Sequence, residues 1–260
     1  MKRTMLAMAL VLACGSAMAK DGSKLSSNSC DVESDYSLTT HGNAFVFTRD
    51  DGKAPARMSL GGGKLFIDGK EAQLNAADQA RVGQFEGELR QLVPEVQQVT
   101  TEAIDIAFTA LTEVARGLSS DPAESVAKLE KSHARARKEI ASRPAFVFSK
   151  NGDDALAAII DPIVSEYVPE ITGSEVTLAM KMVFASDAKR AEIEKRLDRM
   201  GDQIDTKVEA RAKKLEPLAE AMCQRMKRMD GIDNALEYRL PGGRPIELLN
   251  VEVKQTTRAP

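Results

Sequence analysis

Residues 60–89 read Leu-Gly-Gly-Gly-Lys-Leu-Phe-Ile-Asp-Gly-Lys-Glu-Ala-Gln-Leu-Asn-Ala-Ala-Asp-Gln-Ala-Arg-Val-Gly-Gln-Phe-Glu-Gly-Glu-Leu, and within them the chain changes its hydrophobic period. Lys64 to Ile67 is a short, mostly apolar run closed by Asp68-Gly69. Asp-Gly between two short strands marks a hairpin, because both central residues of the tight turn take positive φ. Beyond Leu74 the apolar or small residues recur at Val82, Phe85, Leu89, Leu92, Val96, Val99, Ala103, Ile106 and Ala110. Steps of three and four place them on one stripe of a long helix. Strands before residue 75 and helix after it predict an α+β fold.

Working outward, Tyr36–Leu38, Asn43–Thr48 and Arg57–Leu60 carry aromatic and β-branched residues and extend the hairpin into a small antiparallel meander over 30–75. Asn75 or Asp78 caps the first long helix, and Pro94 is expected to kink it by removing a backbone donor. Gly117 and Asp121-Pro122 mark its end and the start of a second helix that runs to Ser142, before Pro144. The run 146–152 is ambiguous between strand and loop, and helices are expected over 153–165 and 174–184. From Ala188 a second long amphipathic helix carries Ile193, Leu197, Met200, Ile204, Val208, Leu215, Leu218, Met222, Met226 and Met229, with a kink or break at Pro217. Its methionines read as adaptable core fillers. A terminal β-hairpin over 234–254, turning at Pro241-Gly242-Gly243, and a disordered tail over 255–260 complete the outline. The expected organisation is one α+β domain over 30–254 with a helical body at 76–233.

The N-terminus sets the compartment. Lys2 and Arg3 precede an almost wholly apolar run from Thr4 to Leu12, and small residues end at Ala17-Met18-Ala19. This is the pattern of a secretory signal peptide over 1–19, cleaved between Ala19 and Lys20 and followed by a flexible lead-in over 20–29. Val11-Leu12-Ala13-Cys14 offers an alternative, lipidation at Cys14 and anchoring at the outer membrane. Lys2 and Arg3 leave with the signal, so 34 cationic residues face 39 Asp and Glu and the mature chain carries a net charge of −5. That acidity argues against a nucleic-acid role, which needs a cationic footprint. No later run is long and apolar enough to span a membrane. Cleavage at Ala19 removes Cys14 and leaves Cys30 and Cys223, an even pair that reads as a disulfide in an oxidising compartment. The terminal hairpin is then expected beside the first sheet.

Catalytic signals are sparse. His41 and His133 are the two histidines, too few for a three-histidine metal site, and H-E-x-x-H is absent. Gly61-Gly62-Gly63-Lys64 fails the phosphate-loop pattern at Met58 and Leu65. His133 lies near the seam formed by Val126, Leu129 and Ile140, where a structural role is expected. Lys128, Lys131, Arg135 and Lys138 share a helical face with Arg137 beside it, suited to an acidic partner or an anionic envelope component. No cofactor and no catalytic residue is assigned. The leading reading is an exported, non-enzymatic binding or envelope-associated protein; the alternative is a periplasmic hydrolase working through carboxylates or His133.

Cys30-Asp31-Val32, Gly63 to Lys70, Leu74-Asn75, Leu89-Arg90-Gln91-Leu92-Val93-Pro94, Glu102-Ala103-Ile104 and Ala110-Leu111 together resemble the YggN-like family of periplasmic proteins of unknown function. The likeness covers the N-terminal half of the mature chain. It implies export and carries over no activity, cofactor or site residue.

Overall fold

The computed structural model describes residues 23–26, 30–119, 121–142 and 187–254, together with 162 and 165. Among these residues there are eight strands, β1 Ser23–Ser26, β2 Cys30–Ser34, β3 Ser37–His41, β4 Ala44–Thr48, β5 Arg57–Gly61, β6 Lys64–Ile67, β7 Lys70–Glu71 and β8 Asn250–Val253. Three helices accompany them, α1 Ala76–Leu118, α2 Pro122–Ser142 and α3 Asp187–Asn234. The arrangement is α+β. The elements form two compact units. A β-rich unit takes the described residues up to Val99 and from Glu216 onward, and a helical unit takes 100–142 and 187–215.

In the β-rich unit, β3 to β7 form an antiparallel meander in sequence order. Asp68 and Gly69 have φ of 47° and 82°, as the β6–β7 hairpin requires. Alternation sends one row of side chains inward. Leu38 lies opposite Phe47, Phe47 opposite Met58, Phe45 opposite Leu60 and Leu60 opposite Leu65, and all are buried. They pack with Val82, Phe85, Leu89 and Leu92 of α1 and with Met222, Met226 and Met229 of α3 in one core. Burying a side chain of this size stabilises by roughly 1.5–3 kcal/mol, so these rows hold the unit together. The methionines fill that core.

A second sheet has the order β1-β2-β8. Within the stretch read as a lead-in, Ser23–Ser26 pairs with β2. On the other side β2 pairs with β8, Cys30 opposite Val253 and Val32 opposite Val251. The expected terminal hairpin is narrower than its sequence suggested. One bridge, Arg239 to Pro245, spans the turn, closed by Leu240 N–H to Arg244 O at 2.8 Å. Pro245 has no N–H to donate, so the ladder stops, and the chain then finds its partner in the N-terminal strand.

Asn75 caps α1: its Oδ1 accepts the Asp78 N–H at 2.7 Å. Asn75→Ala is expected to cost about 1 kcal/mol, read as a lower urea midpoint, with Asn75→Ser retaining most of the stability. Neither proline interrupts its helix. α1 continues through Pro94 and α3 through Pro217, and buried Leu89 and Leu92 before Pro94 and Met222 and Met226 after Pro217 pin the flanking turns in the core.

The helical unit contains the second half of α1, α2 and the first part of α3. Asp121 caps α2, its Oδ1 accepting the Glu124 N–H at 3.0 Å. Ser125, Leu129, Ser132, Ala136 and Ile140 form the inward stripe of α2. Gly117 has its own reason: a Cβ there would collide with the Met200 side chain. The run 146–152 and the helices expected over 153–165 and 174–184 fall among residues of which 162 and 165 alone are described. Cys14, the Ala19–Lys20 junction and the tail lie outside the described residues.

Candidate functional site

The helical unit brings one histidine to one carboxylate. α1 turns Ile104, Asp105 and Phe108 inward, and α2 sets His133 between its buried Ser132 and Ala136. His133 Nε2 lies 2.6 Å from Asp105 Oδ1. The imidazole stacks on Phe108, one helical turn beyond Asp105, with ring centroids 4.6 Å apart and planes 20° apart. Arg137 of α2 and Arg211 of α3 each place a guanidinium nitrogen 3.6 Å from Asp105 Oδ2, and Arg211 lies 3.9 Å from Glu102. All three helices therefore meet at one buried carboxylate. Two turns further along α1, Glu113 is likewise buried, and its Oε1 accepts from Arg116 and from Lys207, each at 2.6 Å.

This geometry orients the imidazole through its Nε2. In a nucleophilic triad the carboxylate holds one ring nitrogen and the other faces a hydroxyl or thiol. Here Asp105 takes Nε2, which leaves Nδ1, the nitrogen nearer the helix backbone. Among the described residues no hydroxyl or thiol bonds to it. Asp105 itself faces two guanidiniums, so it serves as the hub of a polar seam between helices.

The β-rich unit repeats the theme. Arg225 of α3 donates to Glu95 through Nε at 2.9 Å and Nη2 at 2.7 Å, to Glu88 at 2.5 Å and to Gln91 at 3.0 Å. Asp78, buried at the start of α1, accepts the N–H groups of Glu237 and Tyr238 at 3.0 and 2.7 Å and the Arg81 guanidinium at 2.7 Å. Burial alone would raise its pKa. The Glu237 N–H, Arg81 and the Tyr238 N–H outweigh burial and hold the carboxyl below its ordinary value. Glu86 accepts from Gly63 N–H at 2.9 Å and from Arg90 at 2.5 Å, tying α1 to the β5–β6 turn.

One buried acid departs from this pattern. Asp233, in the last turn of α3, is 1% exposed. Its Oδ2 accepts the N–H groups of Leu248 and, at 3.2 Å, Leu249. Its Oδ1 has no hydrogen-bond partner and is buried. Burial pushes the carboxyl up to about 7; the two N–H bonds pull it down, and Asp230 and Glu247 push it up again. A small pocket beside it is lined by Arg81, Phe85, Ile232, Leu236, Ile246 and Leu248 among others. Sequence reading passed over Asp233. The available signal was an acid in a helix's last turn, where the helix dipole disfavours negative charge.

Cys30 and Cys223 form a disulfide with Cα atoms 6.0 Å apart, joining β2 to α3 inside the core. His41 ends β3 and is exposed. Lys128, Lys131, Arg135, Arg137 and Lys138 are all exposed on α2; Arg137 turns to Asp105 and Lys128 pairs with Glu124 at 3.0 Å. Among the described residues no helix is long and apolar enough to cross a membrane, and no cluster of His, Cys, Asp and Glu could hold a metal ion. No curated protein and no solved structure matches the chain. A family model described as protein of unknown function (DUF2884) matches residues 30–249.

Proposed function

The chain belongs to this DUF2884 family, and from that premise we propose that it is an exported, non-enzymatic protein of the bacterial periplasm that associates with an envelope component, sharing the address of the YggN-like proteins. The observation that carries the reading is the Cys30–Cys223 disulfide, closed across 193 residues with both cysteines in the core. Disulfides of this kind persist where thiols are kept oxidised and are rare in a reducing cytosol. The leader over 1–19 supplies the route. The non-enzymatic part rests on the described carboxylates: Asp78, Glu86, Asp105 and Glu113 are each committed to backbone N–H groups or cations, His133 is committed to Asp105, and Asp233, whose Oδ1 has no partner, is buried away from any substrate. A catalytic acid–base pair needs groups free to exchange protons with a substrate.

The test is fractionation of a bacterium with two membranes that expresses the full gene, followed by intact-mass measurement without reductant. The expected chain begins at Lys20, is released with the periplasmic fraction and is two mass units lighter than its dithiol form. A chain that begins at an acylated Cys14 would establish the outer-membrane anchor instead. A cytoplasmic chain that still carries Met1, with both thiols free, would overturn the reading.

A further inference from the structure

α2 turns its polar face outward in an unusual form. Lys131, Arg135 and Lys138 are exposed, stand at steps of four and three, and have no ion-pair partner among the described residues. With Lys128 they occupy about 15 Å of helix, at 1.5 Å rise per residue. The residues beside them along one edge of that face, Ala127, Ala134 and Ala141, are small and exposed. The long side chains along the middle of that face are cations, apart from Glu124, which is held by Lys128; Glu130 and Glu139 border it on either side.

We propose that this outer face of α2 docks onto an anionic phospholipid surface, a reading that rests on the envelope association proposed above. The charge is complementary, and so is the shape. A row of flexible cations edged by alanines meets a layer of phosphates without needing a groove. A protein partner would call for an apolar or aromatic anchor at the centre of the patch, and this face offers alanine. The chain as a whole has a net charge of −3, so an anionic surface repels much of it and orients the basic row inward. Cations near such a surface contribute about 1 kcal/mol each, roughly fivefold in affinity per residue.

The test uses the purified mature protein and sedimentation with vesicles of phosphatidylglycerol and phosphatidylcholine, against vesicles of phosphatidylcholine alone. Retention on the anionic vesicles is expected, falling as salt is raised. The combined change Lys131→Gln, Arg135→Gln and Lys138→Gln should weaken it about 100-fold. The three side chains are exposed, so the far-UV spectrum should not change. Lys213→Gln with Lys214→Gln, which removes charge from α3, should leave binding nearly as it was. No retention of the unaltered protein, equal retention of the triple variant, or equal loss in the α3 variant would each overturn the proposal. Binding to an acidic protein without binding to vesicles would overturn it in favour of a protein partner. The assay needs no cell, so its failure is distinct from a failed fractionation.

Discussion

Replacing Cys30 and Cys223 together by alanine is expected to lower the free energy of unfolding by about 4–5 kcal/mol. The two residues are separated by 193 positions, and a cross-link that closes so long a loop removes much of the entropy of the unfolded chain. In the chain-entropy model the gain grows with the logarithm of loop length, so this bond sits near the upper end of the range. Its position adds to the expectation. Cys30 opens the central strand of the β1-β2-β8 sheet, and Cys223 lies beside Met222 and one turn before Met226, so the bond joins the strand bearing the sheet to the helix bearing the core. Both cysteines are almost fully buried. Alanine is the substitution of choice, because a buried serine hydroxyl would add its own desolvation cost. Urea unfolding followed by circular dichroism should give a lower midpoint for the double variant and for the protein reduced before unfolding. The urea dependence should steepen, since an uncross-linked unfolded chain exposes more surface. Coincident midpoints for oxidised and reduced protein would show that the bond contributes nothing to stability. Whole domains are stable by roughly 5–15 kcal/mol, so the expected loss is a third of the total or more.

What was legible in the sequence was local. Asp68-Gly69 announced its turn because positive φ leaves few alternatives, and α2 begins and ends where Asp121-Pro122 and Pro144 placed it. The cysteine pair could be read because Cys14 falls in the expected leader, and the two cysteines that remain have one way to join. The partners of the buried charges could not be read. Asp78 lies 160 residues from Tyr238, and Glu113 lies 94 from Lys207; in one dimension both look like solvated acids on a helix face. The charge that turns inward is decided by the packing of another helix against it. For β8 the cysteine pair pointed to the N-terminal strands, but its pairing with β2 in a sheet apart from the meander had no mark in the sequence. His133 was placed near the seam by its spacing from Leu129, but the carboxylate that holds it comes from α1 and has no mark of its own in the sequence. Pro217 offered a kink or a break in α3, and the helix continues through it; a helix whose neighbouring turns are buried can lose one hydrogen bond and continue.

Asp233 is expected to make the folded protein less stable as pH rises, against the direction set by the ion-paired acids. Its folded pKa of about 7 stands above the ordinary 3.8, so the folded state holds this proton when the unfolded chain has released it. Stability from this group is complete below the unfolded value and is lost progressively as pH climbs through the folded one. The decline should amount to about 2–3 kcal/mol between about pH 5 and about pH 8, at 1.36 kcal/mol per pKa unit. Asp78, Glu86 and Glu88 act oppositely. Their carboxyls are held below their ordinary values, so their contribution is present above the unfolded pKa and disappears on acidification. A single pH profile mixes the two trends, and a difference profile separates them. Asp233→Asn keeps an oxygen that can accept from Leu248 and Leu249 N–H and never ionises. The gain of Asp233→Asn over the unaltered protein should be small at the acid end and grow toward the alkaline end. Asp233→Ala leaves the two N–H groups buried without an acceptor, at about 1–3 kcal/mol each, and should be destabilised across the whole range. Those amides lead directly into β8, so hydrogen exchange at Leu248 and Leu249 should quicken with rising pH more than base catalysis alone accounts for, and Asp233→Asn should remove that excess. A difference profile flat in pH would show that the buried carboxyl ionises in the folded state as readily as in the unfolded one, and that its orphaned oxygen is solvated after all.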